Sequence, residues 1–352
     1  MSDFLQFMSR IPVIAYAFIL SLGFSCYFIF FHENSSVNRA FYIWESSKED
    51  LTKKEYQALK DLQISKIYVK LFEVEENSSE GIIPSAKSEF NFKNKTKNIE
   101  FIPTIYIRNE VFKYSNTDEL TELVENIDFL IKKKYYEQIA DSAFIREVQI
   151  DCDWTESTQK NYFEFLKLLK QKATYQISAT LRLYAYKFPN KMGVLPVDRA
   201  MLMCYNLLNV HENRHKNSIL DLEELEKYLR GAKKYPVSLD LALPIYQAMH
   251  IYHNNIYVKS LHQQECDILD KLTKHTKLWY SVKEDFVKNN TFFRRGDKIK
   301  YEKIDAKKME QAKEMISKYV SFPDNFTLSF YQLNEFDLKI QGNEKMDSYY
   351  NL

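Results

Sequence analysis

Glu147-Val-Gln-Ile-Asp-Cys-Asp-Trp154 alternates strictly between polar and apolar side chains. On a β-strand this sets Glu147, Gln149, Asp151 and Asp153 on one face and Val148, Ile150, Cys152 and Trp154 on the other. The residues that follow, Thr155-Glu-Ser-Thr-Gln-Lys-Asn-Tyr-Phe-Glu-Phe-Leu-Lys-Leu-Leu, carry a helix-start signal and then helical spacing of apolar groups. A strand feeding a helix belongs to a βα unit, whose sheet is normally covered by helices. Carboxylates on the inner face of such a strand are costly to bury and need partners or a function.

Working outward, strands are expected at 39–44, 66–74, 100–107, 147–154, 175–183, 199–206, 237–244 and 326–332. Helical spacing falls at 51–62, 118–137, 155–169, 220–231 and 305–319, the second of these behind the capping cluster Asn116-Thr-Asp118. Residues 75–98 are polar and are expected to form a long loop. The connection 187–198 is too short for a full helix. Residues 246–261 are expected to form a hairpin around Asn254-Asn255, and a second hairpin is expected to turn at Gly296-Asp297.

Eight strands mostly separated by helices predict an α/β fold, a (β/α)8 TIM-like barrel with hairpin insertions. A doubly wound open sheet is the alternative. The barrel is favoured because several strands pair one polar face with one apolar face. Lys70, Asp151, Asp153, Ser178, Thr180, Arg182 and Asp240 share the polar faces. In a barrel these converge on the axis, whereas an open sheet offers them no common meeting place.

The chain has 352 residues, 28% of them charged, with a net charge of +1, which gives no electrostatic footprint for nucleic acid. Six glycines leave no Gly-rich phosphate loop. The four cysteines, Cys26, Cys152, Cys204 and Cys266, have neither zinc-ligand nor disulfide-framework spacing. His250 and His253 flank a hairpin without a third ligand, so no metal and no cofactor is expected.

Residues 11–31 run for 21 positions without a charge, enough to cross a bilayer as a helix. Arg10 precedes them. The expected organisation is a tail at 1–10, a transmembrane signal anchor at 11–31, a linker at 32–38 and one barrel domain at 39–352. Leu22-Gly-Phe-Ser-Cys26 supports a second reading, a lipoprotein signal with Cys26 as the lipidated residue. Either way the expected partner is a membrane, with the barrel outside the cytoplasm, periplasmic or at the cell surface.

In barrel enzymes chemistry sits at the C-terminal ends of the strands. That selects Asp153, Arg182, Tyr205, Tyr246 and Tyr331, and adds Trp44 at the end of the first strand. Asp151-Cys-Asp-Trp154 and Met203-Cys-Tyr-Asn206 resemble two motifs of the chitinase-like family 18 glycoside hydrolases, on the expected fourth and sixth strands. Those motifs are Asp-x-x-Asp-x-Asp-x-Glu and Met-x-Tyr-Asp. The resemblance implies a polysaccharide-active barrel and a glycan partner, with Asp153 orienting an acetamido group and Tyr205 supporting it. Asn206 closes the second motif in place of Asp. Val148 stands at the first Asp of the other motif, and Thr155 stands where the general-acid Glu would be. Glu156 comes one residue late and faces the other way on a regular strand.

The catalytic candidates are therefore Asp153, Asp151 and Glu156, and the substrate-binding candidates are Trp44, Arg182, Tyr205, Asn206, Tyr246 and Tyr331. Beside these stands a structural reading in which Asp151–Lys70 and Asp153–Arg182 are interior ion pairs. The functions expected are a membrane-anchored glycoside-hydrolase-like barrel acting on a glycan, or a non-catalytic barrel that binds a glycan or a protein partner at the envelope.

Overall fold

The computed structural model describes residues 37–352 apart from 47, 80, 94–97, 141–143, 212–214 and 263–266. The expected helix at 11–31, with Cys26, lies outside the described residues. Asn38–Leu352 forms one compact unit.

Eight parallel strands close on themselves in the order β1 (Asn38–Ile43), β2 (Lys66–Asn77), β4 (Glu100–Ile107), β5 (Glu147–Asp151), β6 (Gln176–Arg182), β7 (Arg199–Met203), β8 (Ser238–Pro244) and β16 (Thr327–Tyr331). The pairing of β1 with both β2 and β16 completes the ring. This is a (β/α)8 barrel, and the open sheet is excluded by closure. Helices α1 (Lys53–Asp61), α2 (Thr117–Gln138) and α3 (Gln159–Lys172) follow β1, β4 and β5. Two short turns, α4 (Leu183–Lys187) and α5 (Pro189–Met192), occupy the connection that is too short for a full helix. Gly193 ends them at φ +73°, where a Cβ would strike Gln159 and Phe163 of α3, so no other residue fits. Then come α6 (Leu222–Leu229), α7 (Ala306–Tyr319), and α8 (Glu335–Gln341) with α9 (Asn343–Tyr349), which extend beyond the last expected strand.

Helix α2 forms because Leu120, Leu123, Val124, Ile127 and Ile131 recur at helical spacing and are all buried. Its start is fixed by Asn116, whose side chain accepts from the backbone N–H groups of Asp118 and Glu119, while the Glu119 carboxylate accepts from Asn116 N–H.

Two expectations are corrected. Residues 75–98 are not simply loop: β2 runs on to Asn77 and turns back as β3 (Gly81–Ser85), with Val74 opposite Pro84. No helix lies between β3 and β4 among the described residues. A strap beyond β3 is laid down instead, tied by Ser88 N–H to Leu71 O and by Phe92 N–H to Gln138 O. It packs Phe90 on Phe92 and Phe92 on Phe101. The second correction is Gly296-Asp297, which is not a hairpin turn. Between β8 and α7 lies a five-stranded antiparallel sheet in the order β10 (Ile256–His262), β9 (Ala248–His253), β15 (Lys298–Glu302), β12 (Trp279–Val282), β11 (Leu272–Lys274). The hairpin at Asn254-Asn255 is present, and another joins β13 (Phe286–Lys288) to β14 (Thr291–Phe293) through Asn289-Asn290. All four asparagines have positive φ, the region that hairpin turns of this kind demand. Gly296 and Asp297 merely connect β14 to β15, because β15 pairs with β9 and β12.

The polar strand faces do converge on the axis, as charged layers at the N-terminal end. Lys66 meets Glu147 at 3.2 Å, and Ser178 donates to Glu147 at 2.6 Å. Arg199 donates twice to Asp240, at 2.8 and 2.5 Å, and Thr327 N–H donates to the same carboxylate. Asp240→Asn keeps the shape but loses the charge-assisted pair. We expect it to lower unfolding stability by about 2 kcal/mol in urea denaturation. A change under about 0.5 kcal/mol would mean the layer contributes nothing net.

Candidate functional site

The C-terminal mouth of the barrel is built from the residues at and just beyond each strand's last ladder position. Asp151 ends β5 and points inward, fully buried, and accepts from Thr180 Oγ1 of β6 at 2.5 Å. Burial raises its carboxyl from the ordinary 3.8 to about 6; neighbouring Asp153 pushes the same way, and Arg182 and Thr180 pull back. The expected Asp151–Lys70 pair is not formed. Lys70 instead bonds Glu73 at 2.6 Å and lies 5.2 Å from the centre of the Trp44 ring. The reason is a bulge in β2 between Lys70 and Phe72, which brings Glu73 within reach one turn of pleat later.

Asp153 lies two residues further toward solvent, half exposed. It accepts both guanidinium hydrogen bonds of Arg182, from Nε at 2.5 Å and Nη2 at 3.0 Å. Partial burial works against the Arg182 charge, but the Asp153 carboxylate outweighs it and holds the guanidinium protonated. The Asp153–Arg182 pair expected from the sequence is thus present in bidentate form.

Around this pair stands a wall of aromatic rings. Tyr331, at the end of β16, is its hub: Tyr205 stacks on it at 5.2 Å, Tyr246 meets it edge-on at 5.6 Å, and Trp44 lies at 6.0 Å. Trp44 also contacts Tyr106 of β4 at 6.2 Å. Tyr246 donates to the Asn206 side-chain oxygen, which joins the second motif to the start of the insertion. Asn206 itself sits at φ +54°, which turns the chain off β7. Tyr205 is buried, its hydroxyl has no hydrogen-bond partner among the described residues, and burial pushes its pKa up.

Eight of the nine site candidates therefore meet in one place, six of them, Asp153 included, half-buried or more open. Glu156 does not join them through any contact among the described residues. It is exposed in the turn before α3, where the backbone has left the strand. Thr155 is equally exposed, and its hydroxyl is engaged with Ser157 at 2.9 Å and Thr158 at 3.2 Å. No bulge re-aims Glu156, because the chain enters this hydroxyl-tied turn directly.

Two participants were not among the candidates. Tyr106 faces the mouth with its phenol raised to about 12, first by burial and then by Asp153 and Asp151. Strict alternation along β4 from Thr104 identifies it, but Pro103 and the apolar run around it obscure that pattern. Tyr42, on β1, stacks on Tyr68 at 4.9 Å and donates to Gln149 at 2.6 Å, forming the floor under Tyr331. Gln149 Nε2 and Ser329 Oγ are buried there without a partner among the described residues. No group of three or more His, Cys, Asp or Glu side chains among the described residues is placed to hold a metal ion. None of the helices described is long and apolar enough to cross a membrane.

No protein-family profile matches the chain. No curated protein matches it either. Among solved structures, a chitinase from Chromobacterium violaceum superposes with a TM-score of 0.50 at 10% identity, over 90% of this chain and 98% of that one. The spore cortex-lytic enzyme SleL of Bacillus cereus gives a TM-score of 0.49 at 12% identity, over 90% and 74%. A group IV chitinase of Ostrinia furnacalis gives 0.47 at 9% identity, over 90% and 99%. The likeness to the first of these concerns the fold.

Proposed function

We propose that the barrel mouth binds a glycan and does not hydrolyse it. The observation that carries this is the half-open aromatic wall of Trp44, Tyr106, Tyr246 and Tyr331 around a charged, bidentate Asp153–Arg182 pair. Aromatic faces beside fixed polar groups suit a ligand that alternates apolar ring faces with hydroxyls. Fold likeness to a chitinase supports the same ligand class. Hydrolysis needs a proton donor poised at the scissile oxygen. At this mouth Asp153 is held by Arg182 and Glu73 by Lys70 and Arg108, and by the motif resemblance Thr155 stands at the general-acid position. Tethering by residues 11–31, with the barrel outside the cytoplasm, is part of the proposal and rests on sequence alone.

One observation favours a hydrolase as the second reading: Asp151, raised to about 6, is a carboxyl able to hold a proton close to neutrality. The two readings part in a single experiment on the full-length protein. Binding to a broad panel of envelope and other oligosaccharides is measured by calorimetry, with product analysis on the same samples. Saturable binding without products is expected, weakened about tenfold by Trp44→Ala. Released sugars that vanish in Asp153→Asn would establish the hydrolase instead, and no binding to any glycan would end both. Membrane fractionation with protease protection tests the tether, which fails if the protein is extracted by salt alone.

A further inference from the structure

We propose that a groove on the outside of the barrel receives a cationic amphipathic helix from a partner protein. The groove encloses about 590 Å³ between the β2–β3 hairpin and α2, on the outward face of β2. It exists because the chain omits a helix after β2. The strap that replaces one crosses lower down, and the hairpin rises past it unsupported on this side.

Its floor is Phe72 and Val74, and its helical wall presents Leu123, Ile127 and Leu130 at spacings of four and three residues. On the lips, Tyr114 and Phe129 leave 76% and 67% of their surface in water, unusual for aromatic side chains with an apolar groove beside them. The ionised groups among the described lining residues are all acids: Glu76 on the hairpin bank, Glu119 and Glu122 on the α2 bank. Glu119 caps its own helix, but Glu76 and Glu122 have no ion pair among the described residues. Lys113 places its ammonium 5.1 Å from the centre of the Tyr114 ring at one lip, but the lining side chains themselves carry three acids and no base.

The charge arrangement selects the occupant. Acids on both banks complement a helix carrying Lys or Arg along both flanks of an apolar stripe, the helix-in-groove mode of recognition. The wall from Glu119 to Leu130 spans about 17 Å, three helical turns, which matches anchors at i, i+3 or i+4 and i+7. A lipid-like amphiphile with one cationic head would engage one bank and leave the other unanswered.

The test uses the full-length protein and three fluorescent probes: a three-turn Leu/Lys amphipathic peptide, the same peptide with Glu for every Lys, and a single-chain alkylammonium. Anisotropy titrations are expected to show saturable, salt-sensitive binding of the Lys peptide only. Glu76→Lys with Glu122→Lys should weaken it about tenfold or more, and Phe129→Ser similarly, with the circular dichroism spectrum unchanged. Trp44→Ala should leave it unaltered, which separates this site from the glycan-binding mouth. Absence of binding, equal binding of the Glu peptide, equal binding of the alkylammonium, or insensitivity to all three groove substitutions overturns the proposal.

Discussion

Glu302→Ala is expected to cost about 3–5 kcal/mol of unfolding free energy, the scale for removing one partner of a buried charge pair. Glu302 is on the last strand of the inserted sheet and is fully buried. Its carboxylate meets Lys300 at 2.7 Å and His250 at 3.1 Å, and accepts from Ser218 N–H at 2.8 Å and from the Ser218 hydroxyl. Ser218 belongs to the β7–α6 connection, so this one carboxylate ties the insertion to the barrel. Alanine leaves the Lys300 ammonium, itself buried, with no counter-charge. Burial alone would push the Glu302 carboxyl up. The His250 hydrogen bond, Lys300 and Ser218 outweigh it and set the pKa at about 2, below the ordinary 4.5. The folded state therefore binds fewer protons than the unfolded one in that window. This contribution is complete above about pH 4.5 and fades as pH falls toward 2. Urea denaturation with hydrogen exchange on the inserted strands checks it. The double change Glu302→Leu, Lys300→Met should recover most of the loss. A single-variant loss below about 1 kcal/mol would mean the network is not what joins the two parts.

Asp151 should act on stability with the opposite sign. Its folded pKa of about 6 lies above the ordinary 3.8, so between those values the native state holds a proton that the unfolded chain has released. Stability contributed by this group is then full below about pH 4, falls as pH rises through the window, and stays lower above pH 6. Two pKa units correspond to about 3 kcal/mol. Asp151→Asn removes the titration while still accepting from Thr180. It should match the parent near pH 4 and exceed it by about 2–3 kcal/mol at pH 8. Asp337, buried on α8 with its carboxyl raised to about 7, adds a slope of the same sign. The variant-minus-parent difference isolates Asp151. A flat difference from pH 4 to 8 would sink the assignment.

Much of the barrel was legible because several of its strands write their own environment in a two-residue period. Glu147, Gln149 and Asp151 had to face an interior, and only a closed ring gives Ser178, Thr180, Arg182 and Asp240 the same interior to face. The Asp153–Arg182 pair followed from both residues standing at strand ends on polar faces. Lys70 misled because the β2 bulge is a backbone event with no marker in side-chain alternation, and Glu73 became its partner. Glu156, one residue off the motif, lies in a turn that Thr155, Ser157 and Thr158 close among themselves.

The inserted sheet was less legible for a physical reason. Its strands are short, and β15 pairs with β9 across some 45 residues of intervening chain. No local turn signal specifies such a pairing, so Gly296-Asp297 looked like a hairpin when the turn was Asn289-Asn290. The sequence by itself determined the alternation of strands and helices, the inward direction of the charged strand faces and the residues at the strand ends. Those depend on backbone periodicity and on the cost of leaving charge unpaired, both local properties of the chain. Only the tertiary structure decided which charges pair, that Glu302 fastens the insertion, and that Tyr331 gathers Trp44, Tyr205 and Tyr246 into one wall. These depend on distances between residues far apart in the chain, which periodicity does not encode.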